Sequence, residues 1–393
     1  MGTWNTTFGA ANSKIEVTGN STIRVFDNNS TSAVPTISNT IDILKGKTLT
    51  IVGGKRCAIR GKLSGEGTLR ISFPYVRGDV YTDMSGFRGT YEATSGQLRL
   101  ASAIDLSQGM LKLGANVYAA HVEGGGKNEK MLTSKIGALT SSANNSTLAS
   151  GIWNVGYLGT DETYAGIFNS AATVNKYGEG TLTLTGASQG KLNIYEGSVL
   201  AGNTSVATTS GATIVYEGGK LAGSGKIASV TVKKGGILAA GKNNLLTGTL
   251  TLTGSLNVNS GGILYVRARS NGRTDTFKAD GKVTLMSPFF QIEHIGEGFV
   301  EGDELPIFTG AGIISLTGTP TFEPAIPCEG CLWDYSTLGT DGTIRVISDG
   351  TGINNSAFSI QHSGAPIYDL TGRKIETITE KGIYIINGKK VIR

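Results

Sequence analysis

The densest group of residue types able to do chemistry lies in the run FPYVRGDVYTDMSGFRGTY. Tyr75 and Tyr81 offer ring faces that stack on sugars, Asp79 and Asp83 offer carboxylates, and Arg77 and Arg88 offer forked donors. These six are the candidate ligand-binding residues, either on a sugar-facing loop or, more simply, on an insertion between strands with paired charges. No catalytic residue is assigned. Elimination in a uronic polymer needs carboxylates around calcium and a basic residue to take the proton α to a carboxylate. Inverting hydrolysis needs an acid and a base placed across the bond. Elsewhere the aspartates are mostly solitary: Asp105, Asp161, Asp275, Asp280.

A second acidic group, Glu293, Glu297, Glu301, Asp303 and Glu304 with His294 beside it, lacks the rhythm of a calcium loop and reads as a solvated turn. His121, His294 and His362 are far apart, and none sits near a GxSxG or cysteine-histidine arrangement. Cys328 and Cys331 form a C-E-G-C pair while Cys57 stands alone. Zinc would need two more ligands, and no second CxxC or HxxxH exists. The pair lies in strand-like surroundings rather than at the start of a helix, so it reads as a loop staple or two ordinary thiols. No metal and no cofactor is expected.

The elements that must position these residues are strands. Thr, Val, Ile and Leu alternate with Gly, Ser, Asn and Lys almost throughout, which argues an all-β chain. From Tyr177 to Ala268 one phrase returns: a charged or polar residue, one or two glycines, then a short apolar strand. It appears as Glu196-Gly197, Glu217-Gly218-Gly219, Lys234-Gly235-Gly236 and Ser260-Gly261-Gly262. The interval, roughly 17 to 26 residues, belongs to a parallel β-helix solenoid, in which each coil needs a copy above and below to bury its apolar face. In TLTLTG the leucines face one side and the threonines the other.

The 393 residues include 58 glycines and only 8 prolines without a G-x-y period, which excludes collagen. The net charge is +5 with Lys and Arg dispersed singly, so no nucleic-acid partner is expected. No apolar run is long enough for a transmembrane segment, and MGTWNTTFGA has neither the basic segment nor the apolar core of a signal peptide. The organisation expected is a β-helix over 1–347, with irregular coils and insertions at about 114–172, regular repeats at about 173–268 and a capping unit at about 277–347. A linker, 348–365, and a small C-terminal β add-on, 366–393, follow. The tail reads as a strand, a Thr371-Gly372 turn, and a hairpin around Asn387-Gly388.

Two stretches resemble known families. GEGTLTLTG with EGSVLAG, then GGKLAGSGKIASVTVKKGGILAAG and GTLTLTGSLNVNSGGILYV, resembles the autotransporter-associated β-strand repeat of bacterial surface passengers. FVEGDELPIFTGAG and LWDYSTLGTDGTIRVI are similar to the cap that closes such arrays. That resemblance implies a right-handed, single-stranded parallel β-helix. The family's loop before Leu-Trp-Asp is Pro-rich, and here Cys328 and Cys331 occupy it, a departure that supports a disulfide staple. IYDLTGRKIETITEKGIYIINGKKVIR resembles the carboxyl-terminal tail of exported Bacteroidetes proteins related to type IX secretion sorting domains, though it is shorter. This implies export machinery as a partner through the tail and a secreted or cell-surface location.

The resulting expectation is a non-catalytic secreted or surface-attached β-helix, acting as adhesin, spacer or glycan-binding module toward an extracellular glycan or host-cell ligand. Because right-handed β-helices also include pectate-lyase-like and glycoside hydrolase enzymes, the alternative is a polysaccharide lyase or hydrolase on the same scaffold. A row of two or three exposed carboxylates with an Arg or Lys on one face would favour the enzyme. An unbroken Thr, Ser and Asn face would favour the binder.

Overall fold

The computed structural model describes the chain except for residues 1–4, 7–12, 26–33, 54–56, 124–128, 242–246, 270–271, 311, 351–365, 376–382, 387–388 and 393, and the side chains of 5–6, 74–78, 389 and 391–392. Most of the expected linker, Asn387-Gly388, and the side chains of Tyr75 and Arg77 therefore lie outside the described residues. The fold is all-β, and its strands are mostly parallel. Among the described residues the largest sheet has nineteen strands and the next has eight. Smaller sheets of four strands complete the body.

In the parallel sheets a strand typically pairs with the equivalent strand one repeat later, with corresponding side chains stacked in register. In the eight-stranded sheet Leu182 lies beside Val199, Val199 beside Leu221, Leu221 beside Leu238, Leu238 beside Leu264, and Leu264 beside Phe290. All six are at most 3% exposed. The large sheet runs a matching interior row through Ile194, Val215, Val232, Val258 and Leu285. The pleat explains the division: Thr181–Leu184 alternates half-buried threonine with buried leucine.

The glycine pair of the repeating phrase has two separate tasks. Gly235 has φ +73°, a left-handed conformation that side chains resist. Gly236 lies against the preceding repeat, where an added Cβ would come within 2.5 Å of the Val215 carbonyl oxygen. The first glycine turns the chain, and the second lets the next strand close onto its neighbour.

The irregular stretch continues the same sheet. Thr133–Thr140, Thr147–Val155 and Ile167–Lys176 pair in parallel, and the addition is an antiparallel pairing of Val117–Glu123 with Lys130–Met131. The reading of the Tyr75 region as a loop needs correction. Thr68–Val80 is one 13-residue strand, flanked by Thr48–Gly53 and Cys57–Ile59 on one side and Thr90–Leu100 on the other. The register opposite Gly96 and Gln97 jumps from Phe73 to Arg77, so the insertion is a bulge inside a paired strand.

After Phe290 the interior row ends under aromatic rings. Phe322 stacks on Phe290 at 5.4 Å and on Trp333 at 5.7 Å, and Trp333 Nε1 donates to the Pro324 carbonyl at 2.8 Å. Trp333 belongs to a three-stranded antiparallel sheet, Glu304–Pro306, Thr343–Ser348 and Cys331–Asp334, with a single helical turn at Leu338–Asp341. Cys328 and Cys331 are joined by a disulfide at its margin. The tail forms its own four-stranded antiparallel sheet from Ile367–Asp369, Lys374–Ile375, Ile383–Ile386 and Lys389–Ile392.

Candidate functional site

Of the group expected around Tyr75, the four members with described side chains, Asp79, Tyr81, Asp83 and Arg88, have separate surroundings. Asp79 is 1% exposed and faces Arg99, whose Nε lies 3.9 Å away, so its carboxylate is withheld from any surface ligand. Tyr81 is covered by the Arg60 guanidinium, 3.9 Å from its ring centroid. Asp83 accepts from the backbone N–H and hydroxyl of Ser85, which hold its carboxyl below the usual range, and thereby shapes a turn. Arg88 is exposed. Asp79 lies in the strand Thr68–Val80 and is buried, whereas Tyr81, Asp83 and Arg88 follow it outside any strand and each has a separate setting.

The structure instead assembles a polar and aromatic ladder along four consecutive repeats of the large sheet. Tyr157, Tyr177, Tyr195 and Tyr216 each follow the end of a strand. Backbone bonds from Tyr177 to Val155, Tyr195 to Lys176 and Tyr216 to Ile194 fix the register. Their rings stack with centroids 5.3, 5.0 and 4.5 Å apart and planes within 11° of parallel, close to the strand spacing of about 4.8 Å. Beside them Asn193 Nδ2 donates to Asn175 Oδ1, and Asn175 Nδ2 to Asn154 Oδ1, both at 2.8 Å. Such amide rows retain a second N–H and a second lone pair on each residue.

The chemistry of this strip is neutral. Burial, and after it neighbouring rings and the Glu196 carboxylate, raise the pKa values of Tyr157 and Tyr177, and burial and Tyr216 do the same for Tyr195. These three hydroxyls therefore stay protonated near neutral pH. Inner ring faces are occupied by one another, leaving hydroxyl edges, amides and the outer faces of the end rings. Exposed Glu179, Glu196 and Glu217 border the strip, and Glu196 also accepts from the Gly178 N–H at 2.9 Å. Below it Lys176, 1% exposed, donates to the carbonyls of Tyr177, Gly178 and Glu196 at 2.8, 2.6 and 3.3 Å. Burial pushes its pKa down to about 8. It staples the turns and does not reach the surface.

Other titratable groups are absorbed by the fold. Arg267 and Asp275 form a buried two-point ion pair at 2.7 and 3.1 Å. Over it, Tyr265 donates to Glu293, and Lys220 Nζ lies 4.9 Å from the Tyr265 ring. Burial and then Glu293 push Tyr265 up to about 12, removing it as a base. Among the described residues, Glu16 and Asp42 with Lys14 approach the row an enzyme would need. Lys14 bonds Asp42 at 2.7 Å and Ser64 donates to it at 2.9 Å, a set of paired charges on an open surface. His121 is fully buried with Nε2 2.7 Å from the Ser102 carbonyl, and burial lowers its pKa, making it a neutral core residue. The Cys57 thiol is buried and pushed up to about 12, which leaves it unreactive. In the acidic turn, His294 Nδ1 accepts from the Gly298 N–H and Asp303 from the Val300 N–H. Among the described residues no three His, Cys, Asp or Glu side chains gather as a metal site. A crevice of about 10 Å³ beside Leu139, Val155, Lys176 and Leu182 has room for one water.

The ladder begins in the irregular coils, at Asn154 and Tyr157, and continues through the first regular repeats at Tyr177, Tyr195 and Tyr216. The signal that would have found it is the tyrosine placed just before the glycine phrase in YGEG, YEGS and YEGG. The chain matches no protein-family model and no curated protein.

Proposed function

We propose that this chain is a non-catalytic, secreted or surface-attached right-handed parallel β-helix, an adhesin or spacer that binds an extended extracellular glycan. The observation that supports this most is the tyrosine and asparagine ladder, a neutral strip of hydroxyl and amide groups repeating at the strand spacing over four coils. A polyhydroxyl polymer offers donors and acceptors along its length and suits a periodic partner better than a compact ligand does. Glu179, Glu196 and Glu217 along the border disfavour uronic polymers by like charge and favour neutral or amino-sugar chains. The repeat phrases and the tail's likeness to exported Bacteroidetes proteins support the surface location and a role for export machinery.

The test is to incubate the protein with insoluble neutral glycans, chitosan, pectin and host glycans, measuring retention and released products together. Retention on neutral or amino-sugar polymers is expected, weakened by Tyr195→Phe with Asn175→Ala while the melting temperature holds. Chain cleavage or unsaturated products would move the reading to a lyase or hydrolase. Equal retention of the variant would remove the ladder from the binding face.

A further inference from the structure

The end of the molecule separates charge sharply. Between Val283 and Asp349 there are ten acidic residues against one basic residue, Arg345, a net charge of −9 in a chain whose total is +5. The tail, 366–393, carries six basic residues against three acidic, a net charge of +3. These two oppositely charged units are neighbours in sequence.

Each also carries apolar side chains that are exposed or only half-buried. On the cap sheet Leu332 and Ile347 are directly opposed across paired strands. They are 47% and 41% exposed, while the neighbouring Trp333 and Val346 turn inward. In the tail Ile383 and Ile385 share a face with Lys374 and Lys390, while Ile367, Ile375 and Ile386 lie on the opposite face; all five are only half-buried, and none of the tail's described residues is buried. A single sheet of short strands needs a second layer to be stable in water. The tether is suitable. The chain leaves the cap at Asp349, whose N–H donates to the Gly330 carbonyl at 2.9 Å next to Leu332. The 17 residues from 350 to 366 span at most about 60 Å when extended. Such a link holds the tail near the cap at roughly millimolar effective concentration.

We infer that the C-terminal tail sheet docks onto the acidic outer face of the cap of its own chain, covering Leu332 and Ile347. Lys374 and Lys390, both exposed, with Arg373, which also pairs with Asp369 at 3.3 Å, supply the charge that faces Glu301, Glu329 and Glu304, the last shared with Arg345 at 3.0 Å. A second copy of the chain has the same chemistry, but the tether favours the intramolecular partner at ordinary protein concentrations. Docking would keep the tail's apolar face from other partners until something displaces it.

The test uses the full chain, dilute, with a zero-length carbodiimide that joins contacting amines and carboxylates, followed by peptide mapping of the monomer. Links from Lys374 or Lys390 to Glu301, Glu304 or Glu329 are expected, with several-fold loss at high salt. Leu332→Asp with Ile347→Asp should abolish them. Charge reversal of Arg373, Lys374 and Lys390 to Glu, with Leu332 and Ile347 intact, provides a second variant that leaves the cap unaltered. It should raise the tail's protease sensitivity several-fold. Tail links confined to the tail, scattered over the body, or found only in dimers would overturn the proposal, as would unchanged protease sensitivity in the charge-reversed chain.

Discussion

Leu184 shows what a single residue must do here. It is 2% exposed and lies in register with Ala201 of the next repeat, so a substitution disturbs a contact shared between repeats. Removing a buried leucine side chain costs about 2–5 kcal/mol, and an unpaired carboxylate in that row adds a desolvation penalty. Leu184→Asp is therefore expected to lower the melting temperature severely, whereas Leu184→Met should change stability by less than about 1.5 kcal/mol; thermal unfolding separates them. Lys176 makes a different demand. Its folded pKa of about 8 lies below the 10.5 of a free lysine because burial disfavours the ammonium. Between those values the unfolded chain binds the proton and the folded chain does not, so stability rises with pH across that window. Lys176→Met should flatten that rise, read as the urea midpoint against pH relative to the parent protein.

At the level of the element, the tyrosine ladder combines a backbone register with a side-chain stack. Tyr195 touches two rings and Tyr157 one. Stacked aromatic pairs contribute about 0.5–1.5 kcal/mol each beyond the area they bury. Tyr195→Ala should therefore cost about twice as much stacking energy as Tyr157→Ala, measured by chemical denaturation. Equal losses would mean that the ring stack contributes nothing beyond burial. The same elements explain the misplaced expectation near Tyr75. Asp79 looked available because Tyr, Arg and Asp crowd the sequence there, yet its strand is paired on both edges and the carboxylate is 1% exposed. The tyrosine ladder was hidden for the opposite reason: its members are 18 to 21 residues apart and meet only through strand register.

For the whole molecule, the decisive problem is how a stack of parallel strands ends. Ile314–Thr317 and Thr321–Glu323 are the last strands of their sheets, and Phe322 is the last ring of its row before Trp333 covers it. Exposed strand edges and apolar ends invite pairing with other chains. Trp333→Ala is expected to cost about 3–5 kcal/mol locally and to promote self-association. Light scattering after gel filtration would detect this, while far-UV dichroism from the central repeats stays unchanged. A monodisperse variant would show that the antiparallel sheet and disulfide close the end without the ring.

The amino-acid sequence by itself determined the all-β character, the inward row of Leu, Val and Ile, and the positions of the turns. These rest on local physics: alternation follows the pleat, and Gly235 supplies a left-handed backbone conformation that residues with a side chain resist. Tertiary structure alone decided which polar residues share a surface. Asp79 went inside against Arg99, and four separated tyrosines came into one stack. The physical reason is that neighbours across a parallel sheet are set by register between distant strands, a quantity that no short window of sequence contains.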